Sequence, residues 1–344
     1  MAGLPVLSRR QFVASVGTGL VVAPLVALCT PKERAERWTR SAYVKPRRSR
    51  VAVLRADAYD DRLDAVVRRG IELFGLEVRG RRVVLKPNLV EFDPQGVINT
   101  HPALVAATAR AFRELGAREV IVAEGPGHRR DDEYLLRASG LEAALADARA
   151  PYVNLNTDSV ARVVPRSRFT GLPELYLPET VARADLLVSM PKLKTHHWAG
   201  ATLSMKNLFG IMPGMFYGWP KNVLHQRGIA NSIVDINASL PVARFNIVDG
   251  IVGMEGNGPI QGTARQSGLL AFGADPVAVD ATCARLMSLD PWKIDYLANA
   301  EPFLGNVADE RIEQIGEQPD ALRQDYRVLD RFRYLKEGSL ARGV

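Results

Sequence analysis

From Val51 onward, short apolar runs of strand length alternate with stretches whose apolar residues recur every three or four positions. No other feature limits the possible folds so strongly, because parallel strands need long crossover connections and helices are the usual ones. Val51-Ala52-Val53-Leu54 reads as the first strand, followed by a helix capped by Asp60 or Asp61 with Leu63, Val66, Val67, Ile71 and Phe74 on one face. Val83-Val84-Leu85 is a second strand, and its helix begins at Thr100 or His101 with Pro102 in the first turn and ends before Gly116. Glu119 to Ala123, Leu186 to Met190, Phe245 to Val248 and Leu269 to Phe272 are further strands, and Asp275-Pro276 opens a last helix through Met287. The expected fold is α/β, a mostly parallel sheet with helices on both faces, forming one domain. A long irregular loop rich in Gly, Pro and aromatic residues is expected from Thr195 to Lys221.

Charge is unevenly placed along the 344 residues. The formal net charge is +7, but ten of the 45 basic residues and only two of the 38 acidic ones lie in the first 50 positions, leaving 35 basic against 36 acidic in the body. A body without a positive field does not attract phosphate polymers, so nucleic acid is set aside as a partner. The basic stretch 31–50 reads as a linker beside a membrane signal. Ahead of it, Ser8-Arg9-Arg10-Gln11-Phe12-Val13 precedes a charge-free run from Ala14 to Leu28, the plan of a twin-arginine signal over residues 1–30. That run is too short and too rich in Gly and Pro for a strong membrane span. The expected partner is the twin-arginine translocase, the expected location the periplasm or the outer face of the cytoplasmic membrane, and membrane contact is confined to the signal.

Two cysteines, Cys29 and Cys283, are too few for a disulfide framework or for an iron–sulfur cluster held by this chain alone. Cys283 falls at helical spacing between Val279 and Leu286 and reads as a core residue.

Several strand ends carry polar or glycine-rich clusters: Lys86-Pro87-Asn88, Glu124-Gly125-Pro126-Gly127, Lys192-Leu193-Lys194-Thr195-His196-His197 and Asp249-Gly250. In an open α/β sheet the carboxyl ends of the strands line one crevice, so these clusters are expected to converge there. Together with Met205-Lys206-Asn207-Leu208-Phe209-Gly210, Gly253-Met254-Glu255-Gly256-Asn257-Gly258-Pro259 and Asp275-Pro276-Val277-Ala278-Val279-Asp280, they make the chain resemble the domain of unknown function family 362, from about Val51 to residue 305. Residues 306–344 then form a C-terminal extension. Some members of that family carry ferredoxin-like cysteine clusters, which this chain lacks. The resemblance implies the fold and the positions of site residues; it names no reaction and no cofactor.

Within the expected crevice, Lys86, Asn88, Lys192, Lys194, Lys206, Asn207, Glu255 and Asp280 are assigned to substrate binding, because ammonium groups are strong donors to phosphate and carboxylate oxygens. His196 with Glu124 or Asp249 is assigned to proton handling, since imidazole titrates nearest neutrality. The histidines and carboxylates show no H-x-x-x-H or E-x-x-H spacing, and no metal is assigned. His128 and His225 lack supporting neighbours and read as structural or exposed. The expectation is an enzyme acting on an anionic small molecule or using a phosphate-bearing cofactor, with redox, isomerisation and hydrolysis all open. The alternative is a non-catalytic binding protein for a small anion or metallocofactor.

Overall fold

The computed structural model describes residues 37–39, 42–127, 131–336 and 338. The twin-arginine segment, most of the basic linker and His128 lie outside the described residues. No described helix is long and apolar enough to cross a membrane.

Twelve strands are described: β1 (Ser49–Arg55), β2 (Arg82–Pro87), β3 (Glu119–Glu124), β4 (Tyr152–Asn154), β5 (Val160–Val163), β6 (Leu175–Pro178), β7 (Leu186–Met190), β8 (Lys192–His196), β9 (Gly200–Thr202), β10 (Ala243–Asn257), β11 (Gln261–Gly273) and β12 (Ile312–Gly316). The main sheet runs β12-β1-β11-β10-β7-β2-β3-β4, with β8 attached to β10 and β9 to β8, and β5-β6 forming a separate two-stranded sheet. Its pairings are parallel except those that β11 makes with β1 and β10 and the one between β8 and β9. The sheet is therefore mostly parallel, as the alternation of elements requires.

Successive strand side chains point to opposite faces, and the core divides accordingly. Val51, Val53, Val84, Leu187 and Val248 belong to one buried cluster. Their sequence neighbours Ala52, Leu54, Val83, Val188 and Ile247 belong to the other. Helices α1 (Leu63–Glu72) and α2 (Pro102–Glu114) bury their apolar stripes in the second cluster. The first cluster takes the helices Ile229–Ser239 and Pro276–Leu286. Both faces are covered, which is why residues 83–85, 120–123 and 186–188 in the central strands are unbroken apolar runs.

Local signals explain the helix ends. His101 caps α2 by accepting the N–H of Ala103 at 3.2 Å, with Pro102 at the first position. Asp275 accepts from Val277 and Ala278 at the start of the helix Pro276–Leu286, and Cys283 is buried on it. Helix α1 is different. Its cap is Arg62, without a side-chain cap bond, while Asp60 pairs with the Arg62 guanidinium at 2.7 Å.

Three expectations about segments change. The cluster from Lys192 to His196 is not a loop after a strand but the strand β8, and the chain from Thr195 to Lys221 holds β9 and several one-turn helices. Asp249-Gly250 does not end a strand either, because β10 runs for 15 residues in all and continues to Asn257. The glycines of its second half serve packing: a Cβ on Gly253 would stand 2.3 Å from the Tyr326 hydroxyl and 2.6 Å from the Leu193 carbonyl. Finally, the body does not stop at residue 305. Strand β12 pairs in parallel with β1, and Tyr326, Phe332 and Leu335 are buried against the core.

Candidate active cleft

The C-terminal ends of β2 and β3, the β8-β9 hairpin and the turns from Ser204 to Lys221 surround a cleft of about 830 Å³ measured out to its open mouth. On its floor, Lys86 near the end of β2 and Glu124 at the end of the neighbouring parallel strand β3 form an ion pair of 2.7 Å. The remaining Glu124 oxygen capacity is taken by the N–H groups of Leu89 and Gly125, at 3.0 and 2.9 Å. Lys86 also donates to Asn207 Oδ1 at 2.8 Å, and Asn207 returns its amide to the Lys86 carbonyl at 3.1 Å. The pair is buried, and each partner makes further hydrogen bonds within the protein. It fits because position 210 carries no side chain: a Cβ there would lie 2.5 Å from both Glu124 Oε1 and Lys86 Nζ.

Three more lysines line the same cleft. Lys194, fully buried on β8, donates to the carbonyls of Ile98 and Pro259 at 2.8 and 3.1 Å. Burial, with the charges of Lys206, Lys192 and Lys86, holds its pKa well below the ordinary lysine value. Lys221 donates to the carbonyls of Gly125 and Gly210, and burial brings its pKa down to about 7. Lys206 is different: among the described residues it has neither a hydrogen bond nor an ion pair, and its ammonium stands 4.7 Å from the centroid of the Phe209 ring. Burial, and then the charge of Lys86, brings its pKa down to about 8.

Two imidazoles on the cleft wall are held in opposite tautomers. His196 Nδ1 accepts the N–H groups of Trp198 and Ala199 at 3.0 and 3.1 Å, so a neutral ring carries its proton on Nε2. Burial, followed by the charge of Lys206, pushes its pKa well below the usual histidine value, which keeps it neutral. His225 Nδ1 lies 3.2 Å from the Lys221 carbonyl, an oxygen that only accepts, so Nδ1 is the donor and Nε2 keeps the lone pair. One ring offers a donor and the other a base.

Two further atoms mark the wall as built for a polar guest. Asn88 Oδ1 and Thr202 Oγ1 are buried without a hydrogen-bond partner in the protein. Such orphaned atoms are rare in folded proteins because each forfeits its hydration.

The convergence expected from the strand ends is therefore partial. Lys86, Asn88, Glu124, Lys194, His196, Lys206 and Asn207 share the cleft. Lys192 and Asp249 do not line it. They form a buried ion pair of 2.7 Å in a second cluster, where Asp249 also accepts from the Tyr59 hydroxyl at 2.7 Å and the His101 N–H at 2.9 Å. The segment Leu89–Thr100 stands between the two, with Leu89 and Val90 lining the cleft and Glu91 to Thr100 lining a second pocket with Tyr59, His101 and Lys192. Glu255 lies on the far half of β10, occupied by Arg327 at 2.8 Å. Asp280 is buried beneath the cleft, its two oxygens accepting the N–H groups of Ser204 and Met205 at 2.6 and 2.9 Å, which anchors the turn that carries Lys206 and Asn207.

Lys221 and His225 were not among the residues singled out for the site. No spacing signals them, since they reach the cleft through the turn after Pro220 and the short helix Asn222–Gln226. Of the loop aromatics, Trp198 and Phe209 line the cleft, whereas Phe216 packs on Tyr176. Among the described residues, no group of three or more His, Cys, Asp or Glu side chains is placed to hold a metal ion.

Comparison with known proteins adds four findings. A family model described as Domain of unknown function (DUF362) matches residues 83–285, which contain every cleft residue named above. A thylakoid-associated protein of Synechocystis sp. is 29% identical over 264 residues, covering 73% of this chain and 78% of that protein. Among solved structures, the lactate racemase apoprotein of Thermoanaerobacterium thermosaccharolyticum superposes with a TM-score of 0.44 at 14% identity, over 71% of this chain. A structural-genomics protein of Thermotoga maritima superposes with a TM-score of 0.36 at 14% identity, over 65% of this chain. The chain spans 57% of the length of each of these two.

Proposed function

The chain belongs to the family described as a domain of unknown function (DUF362), and on that premise we propose that its cleft binds a small anionic molecule and moves a proton on it. The observation that carries this reading is the excess of amines over acids. Four lysines line the cleft against the single carboxylate of Glu124, which is already shared among Lys86 and two backbone N–H groups. Lys206 is the amine left to meet a guest's carboxylate or phosphate oxygen. His196 offers an N–H donor and His225 a basic nitrogen, complementary groups for a general acid/base step. Glu124 positions Lys86 in this scheme, and Asp249 plays no part in the cleft.

Titration calorimetry with glycolate and with inorganic phosphate tests the reading. Binding of at least one is expected, with a loss of about tenfold or more in Lys206→Gln, the usual cost of removing a charged hydrogen-bonding partner. Binding that is equal in the two proteins contradicts it.

We also propose that the protein is exported by the twin-arginine translocase, on the strength of Ser8-Arg9-Arg10-Gln11-Phe12 and the apolar run behind it. Replacing Arg9 and Arg10 with lysine is expected to leave the protein in the cytoplasmic fraction, and unchanged fractionation would overturn the proposal.

A further inference from the structure

We propose that Lys206 forms a reversible imine with an anionic carbonyl compound, either a 2-oxo acid or an aldehyde bearing a carboxylate or phosphate. The inference rests on the anion-binding reading of the same cleft and adds to it a substrate class and a covalent step.

The four cleft lysines differ in what their nitrogens can still do. Lys86 is bound by Glu124 and Asn207, Lys194 by two carbonyls, and Lys221 by two more. A nitrogen committed in this way is a fixed charge. Lys206 makes none of these bonds, and the cleft's carboxylate, Glu124, is bound instead to Lys86 and to the N–H groups of Leu89 and Gly125. Its neighbours are the Lys86–Glu124 ion pair, whose cation acts on it more strongly than its carboxylate, and an aromatic face, Phe209. A desolvated amine beside another cation is the environment in which lysine becomes a nucleophile. Its pKa of about 8 leaves a working fraction as free amine near neutral pH.

The groups around it suit each stage of the reaction. The Phe209 ring that Lys206 faces also packs edge-on against His225, at 4.9 Å between centroids, and the charge of Lys206 is felt at both His225 and His196. The Lys206 ammonium passes one proton to His225 Nε2. The freed lone pair forms the C–N bond while the carbonyl π pair moves to oxygen, which accepts a hydrogen bond from His196 Nε2–H. His225 returns its proton to that oxygen and relays a second from nitrogen, the C–O bond breaks, water leaves, and the nitrogen lone pair closes C=N. Of the three ammonium hydrogens, two end in water and one stays on the iminium, so charge and electrons balance without an oxidant or reductant. Lys194 and Lys221, held by backbone carbonyls, remain as fixed positive charges beside the guest's carboxylate or phosphate.

The test uses the full chain, glyoxylate as the carbonyl probe, and borohydride to reduce any imine to a stable carboxymethyl adduct, followed by intact mass and peptide mapping. The expected result is one adduct per chain, on Lys206, that is suppressed by excess glycolate, which has the carboxylate but no aldehyde. Lys206→Arg is expected to abolish the adduct while still binding glycolate. Because the adduct is mapped in the wild-type chain, a variant that failed to fold would not blunt the test. An adduct scattered over surface lysines, or one that survives in a folded Lys206→Arg protein, overturns the proposal. Glycolate binding without any glyoxylate adduct overturns the imine alone; absence of binding by both overturns the anion reading and the imine with it.

Discussion

An ammonium withdrawn from water without a hydrogen-bond acceptor works against folding, and Lys206 is such a group. Its pKa in the folded protein is about 8, below the ordinary 10.5, so between those values the folded state binds fewer protons than the unfolded chain. The sign follows: the cost of charged Lys206 is present in full below about pH 8 and fades as pH rises toward 10.5. Lys206→Met is therefore expected to be more stable than the wild type at pH 7, by on the order of 1–2 kcal/mol once the partial exposure of the side chain is allowed for. The difference should narrow toward pH 10 in urea unfolding series, and a gap independent of pH would contradict the account. Stability sacrificed at one residue is a common mark of a functional position.

At the scale of elements, what could be read from the sequence divides by chemistry. Strands β1, β2, β3 and β7 are uninterrupted apolar runs because both sheet faces are covered, and α2 announces itself through His101-Pro102 and its buried stripe. Strand β8 does not, because Lys192 and Lys194 are polar residues buried with dedicated partners, and a run of that kind looks like a loop. Likewise Asp249, Gly250, Gly253 and Gly256 make the middle of β10 look like turns, although tight packing needs glycine there. Six of the residues assigned to the cleft share it with His196, four of them from strand-end clusters and Lys206 and Asn207 from the motif after them; Lys192 and Asp249 were drawn away because β8 pairs beside β10 and turns them to the other side of Leu89–Thr100. Their separation is measurable. Asp249→Ala is expected to cost about 3–5 kcal/mol by leaving Lys192 buried and unpaired. The double variant Lys192→Met with Asp249→Leu should recover much of that loss, and glycolate affinity should hardly change in it. A large fall in affinity in the double variant would join the two clusters into one site.

For the molecule as a whole, the parallel arrangement of β7, β2 and β3 is what gives a crest where polar strand ends gather, and the segments that follow them supply the walls. The body that holds this crest includes β12 and the buried residues up to Leu335. A charge-balanced surface leaves small anions, and not polyanions, as the guests that a local cluster of amines selects. The most direct measurement is a crystal structure with selenate, located by the anomalous signal of selenium. The account predicts a peak within hydrogen-bonding reach of Lys206 Nζ and His196 Nε2; peaks confined to the pocket beside Lys192 or to surface arginines would contradict it.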